Sequence, residues 1–345
     1  MNVNSGRSRS VTMNDVASLA GVSLKTVSNV VNKYPHVSHS TREKVEQAID
    51  QLGYSVNASA RSLRSGRSGL VTLAIPELTI PYFAELAQSV TGEAERRDLR
   101  ILLEVTGGDP EREQHLLANH GRSTSDALIY SPLGLTQKDV ALISNRYPTV
   151  LLGERIFGAG TDHVTMSNVE ASRAATEYLI STGARRIALL GYVPEAEAGS
   201  GSLRFKGYSQ ALLAAGMPVQ PELLLSPAHP WWLKTGAEAV EAAIRNKVEF
   251  DAVFAMNDVL AIGAMRALHS HHIDVPGQVQ VMGFDDIAET AYTVPALSTV
   301  NAGREEIAVK ALDFAESRVD GSAPEGHRIF KAPFSLVLRE STLTL

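Results

Sequence analysis

Residues 15–32 read DVASLAGVSLKTVSNVVN, and this stretch predicts the fold of the N-terminal part of the chain. Gly21 separates two segments in which apolar residues recur at helical spacing. These residues are Val16, Leu19 and Ala20 before the glycine and Val27, Val30 and Val31 after it. Ser23 stands where it can cap the second helix. Two short helices joined by a glycine turn form a helix-turn-helix pattern.

The residues around this pattern predict one helix boundary before it and a third helix after it. Thr12–Asp15 fits an N-terminal capping box. Tyr34-Pro35 ends the second helix. The third helix is expected to start near Ser38 or Ser40, with Ser40 and Glu43 as its capping box. Its apolar face consists of Val45, Ile49 and Leu52, and Gly53 closes it.

Charge divides the chain into a basic head and an acidic body. Residues 1–68 contain nine basic and four acidic residues, a net charge of +5, and the remaining 277 contain 23 basic and 34 acidic residues, a net charge of −11. This asymmetry indicates that the head, and not the body, meets a polyanion. Residues 55–68, SVNASARSLRSGRS, have the composition of a linker. Two helical turns within it are too short to be stable alone.

The composition excludes several classes of protein. The chain has no cysteine, so disulfide frameworks and thiolate metal sites are excluded. No apolar run is long enough to span a membrane, and we expect no secretory signal. The sequence contains no nucleophile elbow and no zinc-protease motif, so we expect neither an enzyme nor a cofactor. His269, His271 and His272 are expected to face solvent rather than bind a metal.

From Gly69 onward, short apolar runs alternate with amphipathic segments. The predicted strands are Leu70–Ile75, Ile101–Val105, Ala127–Ser131, Val150–Leu152, Ile187–Gly191, Ala252–Met256, Val279–Phe284 and Phe334–Leu338. Predicted helices between them include Phe83–Arg97, Glu170–Thr182 and Ala237–Asn246. Continuous apolar strands that alternate with helices predict parallel sheets covered on both faces. About 275 residues is large for one such sheet, so two α/β lobes are expected.

The ordered motifs of the head resemble the LacI/GalR family of bacterial transcription regulators. The motifs are D-V-A-x-x-A-G-V-S-x-x-T-V-S-x-V-x-N, V-S-x-x-T-R, L-G-Y and N-x-x-A-R-x-L, all within residues 15–63. The resemblance implies a helix-turn-helix DNA-binding domain (1–54), a hinge helix and linker (55–68), and a body (69–345). The body would be periplasmic-binding-protein-like, with two doubly wound parallel-sheet lobes that bind an effector and dimerise.

In a helix-turn-helix, the N-terminal residues of the second helix contact base edges in the major groove. Lys25 can donate to guanine, Asn29 can pair with adenine, and Leu24 can pack on a thymine methyl group. The resemblance assigns base reading to the same three positions. Candidates for phosphate contacts, which position the protein without specifying sequence, are Ser23, Thr26, Ser28 and Asn32.

The resemblance also implies a DNA-dependent hinge. Residues 57–64 would become helical when two subunits occupy an operator, and Leu63 would then wedge into the minor groove. Asn57, Arg61 and Arg64 are the other predicted DNA contacts of this segment. We therefore expect a homodimer on double-stranded operator DNA and, because little chain follows the last strand, no tetramer-forming helix.

The body is expected to bind a small sugar-like effector between its lobes, at the carboxyl ends of strands. The candidate residues are Tyr82, Phe83, Glu154, Arg204, Trp231, Trp232, Asn257 and Asp285. Arg204 and Asp285 match the arginine and the acid that hold ligands in the family, and the two tryptophans match an aromatic platform. Glu154 is a departure, because many members have an aspartate after this strand.

Three functions were compatible with parts of this sequence. The first is a cytoplasmic, nucleoid-associated regulator, expected to act as a repressor, whose effector changes operator affinity allosterically. A solute-binding protein would share the two-lobed body, but the basic head and the lack of a signal peptide argue against it. An α/β enzyme with a basic extension would need a catalytic constellation, and the motifs contain none. Neither the effector's identity nor the sign of its action follows from the sequence.

Overall fold

The computed structural model describes residues 11–31, 34–54, 67–120, 125–143, 147–193, 199–227 and 231–344. The chain divides into two compact units, Met1–Ser68 and Gly69–Leu345. The predicted hinge residues Asn57, Arg61, Leu63 and Arg64, and the phosphate candidate Asn32, lie outside the described residues.

The first unit contains three helices, α1 (Met13–Ala20), α2 (Leu24–Val31) and α3 (His39–Leu52). Thr12 and Asp15 form the predicted capping box of α1, and Gly21 ends it with a left-handed φ of 65°. The Ser23 hydroxyl accepts the Thr26 N–H at 3.1 Å and so caps α2. Ser38 caps α3 by accepting the Thr41 N–H at 3.3 Å, so the prediction of a Ser40–Glu43 box was wrong.

The core of this unit forms where one stripe of each helix meets the others. Val16, Val27 and Val45 are fully buried. Leu19, a predicted core residue, is instead 49% exposed. The packed stripe of α1 consists of Met13, Val16, Ala17 and Ala20. At 100° per residue, Leu19 lies roughly 110° from the centre of that stripe.

The second unit consists of two α/β lobes. Lobe 1 has a six-stranded sheet in the order β11-β5-β4-β3-β1-β2, and every neighbouring pair is parallel. Its strands are β1 (Leu70–Ile75), β2 (Arg100–Val105), β3 (Ala127–Tyr130), β4 (Thr149–Leu152), β5 (Asp162–Met166) and β11 (Ile329–Ala332). Its helices are α4 (Pro81–Arg96), α5 (Pro110–Asn119) and α10 (Arg304–Asp320).

Lobe 2 has a four-stranded parallel sheet in the order β7-β6-β8-β9 and an antiparallel pair, β10-β12. Its strands are β6 (Ile187–Leu190), β7 (Leu224–Leu225), β8 (Ala252–Ala255), β9 (Gln280–Met282), β10 (Thr299–Asn301) and β12 (Ser335–Val337). Its helices are α6 (Asn168–Ser181), α7 (Ser200–Ala214), α8 (Leu233–Arg245) and α9 (Asp258–Ser270). The two predicted parallel-sheet lobes are therefore confirmed.

Four strands, β5, β7, β10 and β11, were not predicted because they are very short or carry polar residues. β5 begins with Asp162, whose carboxylate is fully buried. Arg318 and Arg328 pair with it at 2.8 and 2.5 Å, and the Arg328 backbone N–H donates to it as well. These contacts lower the pKa of Asp162 against the opposing effect of burial. A charged residue enters the sheet here because tertiary partners compensate its desolvation.

The predicted coverage of the lobe 1 sheet fails at its two edge strands, β2 and β11, which are at least partly exposed along most of their length. Leu102, Leu103 and Val105 of the edge strand β2 are 45%, 39% and 42% exposed. In the rest of the lobe 1 sheet, β3 and β4 are buried throughout. An apolar edge strand that a single chain leaves open is a surface suited to association.

The chain passes between the lobes three times. The crossings lie between β5 and α6, between β10 and α10, and between β11 and β12. Lobe 1 is therefore completed by the α10–β11 segment near the end of the chain. Parallel strands bring the loops at their carboxyl ends to the same edge of a sheet. The loops that line one crevice between the lobes therefore follow strands of both sheets, namely β1, β3, β4, β6, β8 and β9.

None of the helices in the described part of the chain combines the length and the apolar character needed to cross a membrane.

Candidate functional site

A cavity of about 670 Å³ lies in the crevice between the two lobes. Its walls are the loops that follow β1, β3, β4, β6, β8 and β9, together with the N-terminal ends of α4 and α7. Seven of the eight predicted effector residues line it: Tyr82, Phe83, Glu154, Arg204, Trp231, Asn257 and Asp285. The eighth, Trp232, does not.

Arg204 is the central cation of the cavity and is only 4% exposed. It projects from the first turns of α7, and its guanidinium lies 3.6 Å from the centre of the Phe284 ring. Its Nε donates to Asn168 at 2.8 Å, and its Nη1 donates to the Met256 carbonyl oxygen. Its Nη2 lies 3.5 Å from an Asp285 carboxylate oxygen. The chain itself therefore fixes the orientation of this side chain.

Asp285 lies in a strained turn directly after β9. Asp285 and Asp286 have φ values of 115° and 53°, in the region that residues other than glycine rarely adopt. Backbone and side-chain contacts hold the turn: the Asp285 N–H donates to the Val300 carbonyl at 2.9 Å, and Asp286 accepts from Arg339 at 2.9 Å. Strain of this kind persists when the surroundings over-determine it, and it concentrates at ligand sites.

Burial raises the pKa of Asp285 to about 6. The charges of Arg204 and Arg304 act in the opposite direction, whereas Glu85 and Glu154 raise the pKa further. The neighbouring Asp258 is also buried, and it accepts from Thr299 at 2.5 Å and from the Ile287 N–H at 3.0 Å. Its pKa is raised well above the usual value, first by burial and then by the charge of Asp285.

Glu154, the predicted departure from the family pattern, is 5% exposed. Its Oε1 accepts the Met166 N–H at 2.8 Å, which anchors one oxygen of the carboxylate on the neighbouring strand β5. Burial raises the pKa of Glu154, and the Met166 N–H and the charge of Arg204 partly offset this effect. The longer side chain reaches this anchor and still lines the cavity.

Aromatic rings form the less polar walls of the cavity. Tyr82 and Phe83 meet edge to face with ring centres 5.3 Å apart, and Tyr192 and Phe205 lie 4.9 Å apart. Trp231 packs at the start of α7, where Gly201 leaves it room: a Cβ atom on Gly201 would lie 3.3 Å from the indole. Apolar ring faces beside convergent polar groups are typical of sites for small polar ligands.

Two further polar side chains in the cavity have definite local roles. Asn257 caps α9, because its Oδ1 accepts the Leu260 N–H at 2.8 Å, and the residue also lines the cavity. Burial raises the pKa of the Tyr82 phenol strongly, and the negative charges of Asp285 and Glu154 add to the shift. Tyr82 is therefore a neutral hydroxyl that both donates and accepts.

An ion pair of lobe 1 contacts the lobe 2 turn that carries Asp285. Glu85 of α4 pairs with Arg304, the first residue of α10, at 2.8 Å. Glu85 also accepts the Ala288 N–H at 2.8 Å. Arg304 donates to the Asp285 carbonyl oxygen at 3.3 Å. Glu85 and Arg304, both of lobe 1, are thus hydrogen-bonded to the backbone of lobe 2 beside the cavity.

Glu113 supports the loop after β3 from behind and was not predicted. It is fully buried on α5. Five groups donate to its carboxylate at 2.7–3.3 Å: the hydroxyls of Tyr130 and Thr106 and the backbone N–H groups of Leu133, Gly134 and Leu135. Gly134 fits because any Cβ atom there would lie 2.5 Å from the Gly108 carbonyl oxygen. This carboxylate places Leu133 in the cavity wall.

Other cavity residues were also missed by sequence reasoning: Ser131, Pro132, Arg155, Thr165, Met166, Tyr192, Phe205 and Ile307. Ser131, Arg155 and Tyr192 stand at or just after strands that were predicted, so their position was a usable signal. Thr165 and Met166 belong to β5, whose polar residues concealed the strand.

The predicted DNA-contacting residues of α2 in the head differ in their exposure to solvent. Leu24 is 43% exposed and Lys25 is exposed, whereas Asn29 is half-buried. Ser23 and Thr26 lie side by side, with hydroxyl oxygens 2.9 Å apart, and Ser23 also caps the helix. The apolar face below them packs through Val27 and Val30.

The histidines His269, His271 and His272 are exposed at and just beyond the end of α9. Among the described residues, no cluster of histidine and carboxylate side chains is arranged to hold a metal ion.

Known proteins resemble both parts of the chain. Residues 12–57 match the lacI family of bacterial regulatory proteins, and residues 176–342 match the periplasmic binding protein-like domain. The ribose operon repressor of Escherichia coli K12 is 30% identical over 326 residues, which cover 93% of this chain and 97% of the repressor. A structure described as a LacI-family transcriptional regulator from Sanguibacter keddieii is 44% identical, with a TM-score of 0.73, over 80% of this chain and 98% of that one.

The lac repressor dimer bound to operator and an anti-inducer is similar as well, with 26% identity and a TM-score of 0.79 over 97% of this chain and 100% of that one. These likenesses extend over the head and the two-lobed body. The chain is therefore a DNA-binding transcriptional regulator, and it belongs to the lacI family of bacterial regulatory proteins.

Proposed function

We propose that the protein is a homodimeric, cytoplasmic, nucleoid-associated repressor whose operator affinity is set by a saccharide bound between its lobes. The observation that carries the effector site is the buried group of Arg204, Asp285 and Glu154 facing Trp231 in one cavity. Hydroxyl-rich ligands need donors and acceptors of this kind, and the apolar faces of their rings pack on aromatic side chains. Related structures include the complex of the regulator CelR with cellobiose, which is 28% identical with a TM-score of 0.70.

Dimerisation is supported by apolar surface that a single chain leaves open. The exposed residues Leu102, Leu103 and Val105 lie on the edge strand of lobe 1. Tyr292 and Val294, which are 87% and 95% exposed, form a second patch on lobe 2. A dimer would cover such patches, and two heads would read two half-sites. The lac repressor is a dimer on its operator in its solved complex.

Two measurements on the full-length protein test the proposal. Selection of bound fragments from random DNA is expected to yield a two-fold symmetric site. Thermal unfolding in the presence of individual saccharides is expected to identify a ligand that raises the Tm and changes the gel shift of the selected site. A ligand that raises the Tm without changing DNA binding would contradict the allosteric part of the proposal.

Asn29, predicted to read a base, and Arg67, a basic residue of the predicted linker that can neutralise phosphate, are expected to contribute to DNA binding in different ways. Asn29→Ala should cost about 1–3 kcal/mol on the selected operator and relax the preference at one position, because a base edge loses its partner. Arg67→Ala serves as the comparison and should weaken binding to all sequences alike. It should also reduce the slope of log binding constant against log salt concentration by about one unit. Binding measured at several salt concentrations separates the two. An unchanged sequence preference in Asn29→Ala would show that another residue reads this position.

Effector affinity is expected to depend on pH through Asp285. A ligand hydroxyl that donates to this side chain needs the ionised carboxylate, and the pKa of Asp285 is raised to about 6. Affinity should therefore be highest above this pH and fall below it, by up to about tenfold per pH unit for one proton taken up. Calorimetry across this range checks the slope, and Asp285→Asn should flatten it. Affinity that rises on acidification would mean that protonated Asp285 is the donor.

A further inference from the structure

We propose that the effector is an uncharged saccharide, and that the cavity discriminates against phosphorylated and acidic sugars. This inference rests on the proposed function and concerns the charge of the ligand that the same cavity selects. The charges that line the cavity, and the contacts that already occupy them, carry the argument.

The buried part of the cavity has a formal charge of −1 when its side chains are ionised. One guanidinium, Arg204, faces two carboxylates, Glu154 and Asp285, and all three residues are at most 7% exposed. A third carboxylate, Glu77, and a second guanidinium, Arg155, also line the cavity, so the formal charge of the whole lining is likewise −1. Burial raises the pKa of both Glu154 and Asp285, which means that a negative charge in this cavity is less favourable in free energy than in water. An anionic ligand would add to that unfavourable free energy.

The cations that line the cavity within the described residues already donate to groups of the chain. Arg204 donates to Asn168 and Met256, and its remaining nitrogen lies beside Asp285. Arg155 directs its Nε and Nη2 to the Leu133 carbonyl oxygen at 3.1 and 2.7 Å. A phosphate group is usually held by guanidinium donors in a bidentate arrangement. Arg204 offers no full fork here without breaking a contact that shapes the wall. Arg155 keeps the end-on pair of N–H groups on Nη1 and Nη2, but it is only partly buried, so its attraction for an anion is weaker than the repulsion by the buried carboxylates.

The N-terminal end of α7 is the strongest opposing feature. Ser200, Gly201 and Ser202 line the cavity there. A helix N-terminus contributes about half a positive charge, and it can hold an anion. That partial charge is smaller than the full negative charge of the buried group. The Gly199 N–H, moreover, already donates to the Ser202 hydroxyl at 3.3 Å. These amides and hydroxyls suit the oxygen atoms of neutral hydroxyl groups.

The test compares matched neutral and anionic sugars on the full-length protein by thermal shift and calorimetry. The pairs are glucose with glucose 6-phosphate, ribose with ribose 5-phosphate, galactose with galacturonate, cellobiose with cellobionate, and trehalose with trehalose 6-phosphate. We expect a neutral member to bind and its anionic counterpart to bind at least about tenfold more weakly. Glu154→Gln removes one negative charge and keeps an oxygen for the Met166 N–H. It should therefore reduce the ratio of the affinities for the neutral and the anionic sugar, the affinity gap, by about tenfold.

Asp285→Asn provides a second neutralising variant, and Glu170→Gln, at an exposed ion pair with Lys331 outside the cavity, is the control that should leave the gap unchanged. If an anionic member binds as tightly as its neutral partner, the inference about charge is overturned and the saccharide proposal stands. A gap that both neutralising variants leave unchanged also overturns it. If no sugar of either kind stabilises the protein, the saccharide proposal itself falls, and the inference falls with it.

Discussion

Replacing Asp285 with alanine is expected to abolish the effector response while operator binding without effector survives. The carboxylate is 7% exposed in the cavity and is the partner of the buried Arg204. A ligand hydroxyl that donates to this carboxylate would lose its buried, charged acceptor, and such a loss costs about 2–5 kcal/mol in binding. That range corresponds to roughly a 30-fold to several thousand-fold loss of ligand affinity. Calorimetry with the effector found by the saccharide screen measures the loss.

The two tryptophans provide a matched comparison for this experiment. Trp231 lines the cavity and Trp232, its neighbour in sequence, does not. Trp231→Ala is expected to weaken effector binding, whereas Trp232→Phe should leave it unchanged. Thermal unfolding and gel shifts of every variant confirm that the fold and the head are intact. Ligand affinity that survives in both Asp285→Ala and Arg204→Ala would place the effector site elsewhere.

Glu113→Gln is expected to destabilise the body, although glutamine differs from glutamate by one group. An amide places an NH₂ group where either two or three of the five donors now point. At least one buried backbone N–H then loses its acceptor, at about 1–3 kcal/mol for each such group and more where the acceptor was charged. We expect a total of about 2–5 kcal/mol, and roughly 5–15 °C in Tm for a unit of this size.

Glu111 is the control for this substitution, because it lies two residues away on the same helix and is exposed. Glu111→Gln should change the Tm little. Glu113→Gln should in addition lower effector affinity, because Leu133 of the supported loop lines the cavity. Equal Tm values for the two variants would show that the five contacts contribute no net stability.

The architecture of the protein was largely predictable from local pattern. The helix-turn-helix followed from valines at helical spacing around Gly21, because an amphipathic helix must bury its stripe. The strand Leu70–Ile75 was predicted with the bounds it has in the structure, because a strand buried on both faces is almost continuously apolar. The site residues that follow such strands were predictable too, since parallel strands bring their carboxyl ends to one edge. The hinge at residues 57–64 stays a prediction.

Only the tertiary structure decided which polar residues are buried and what they contact. Glu111 and Glu113 are both glutamates in the first turn of α5, and nothing in the sequence distinguishes them. Glu111 nevertheless faces solvent, whereas Glu113 accepts five hydrogen bonds. Asp162 made β5 unrecognisable, because the arginines that neutralise it are 156 and 166 residues away in the chain. The choice between Trp231 and Trp232 depends on how one loop packs on α7. Local pattern reports the apolar surface that must be buried, whereas a buried charge is stable only through partners that the fold brings from distant parts of the chain.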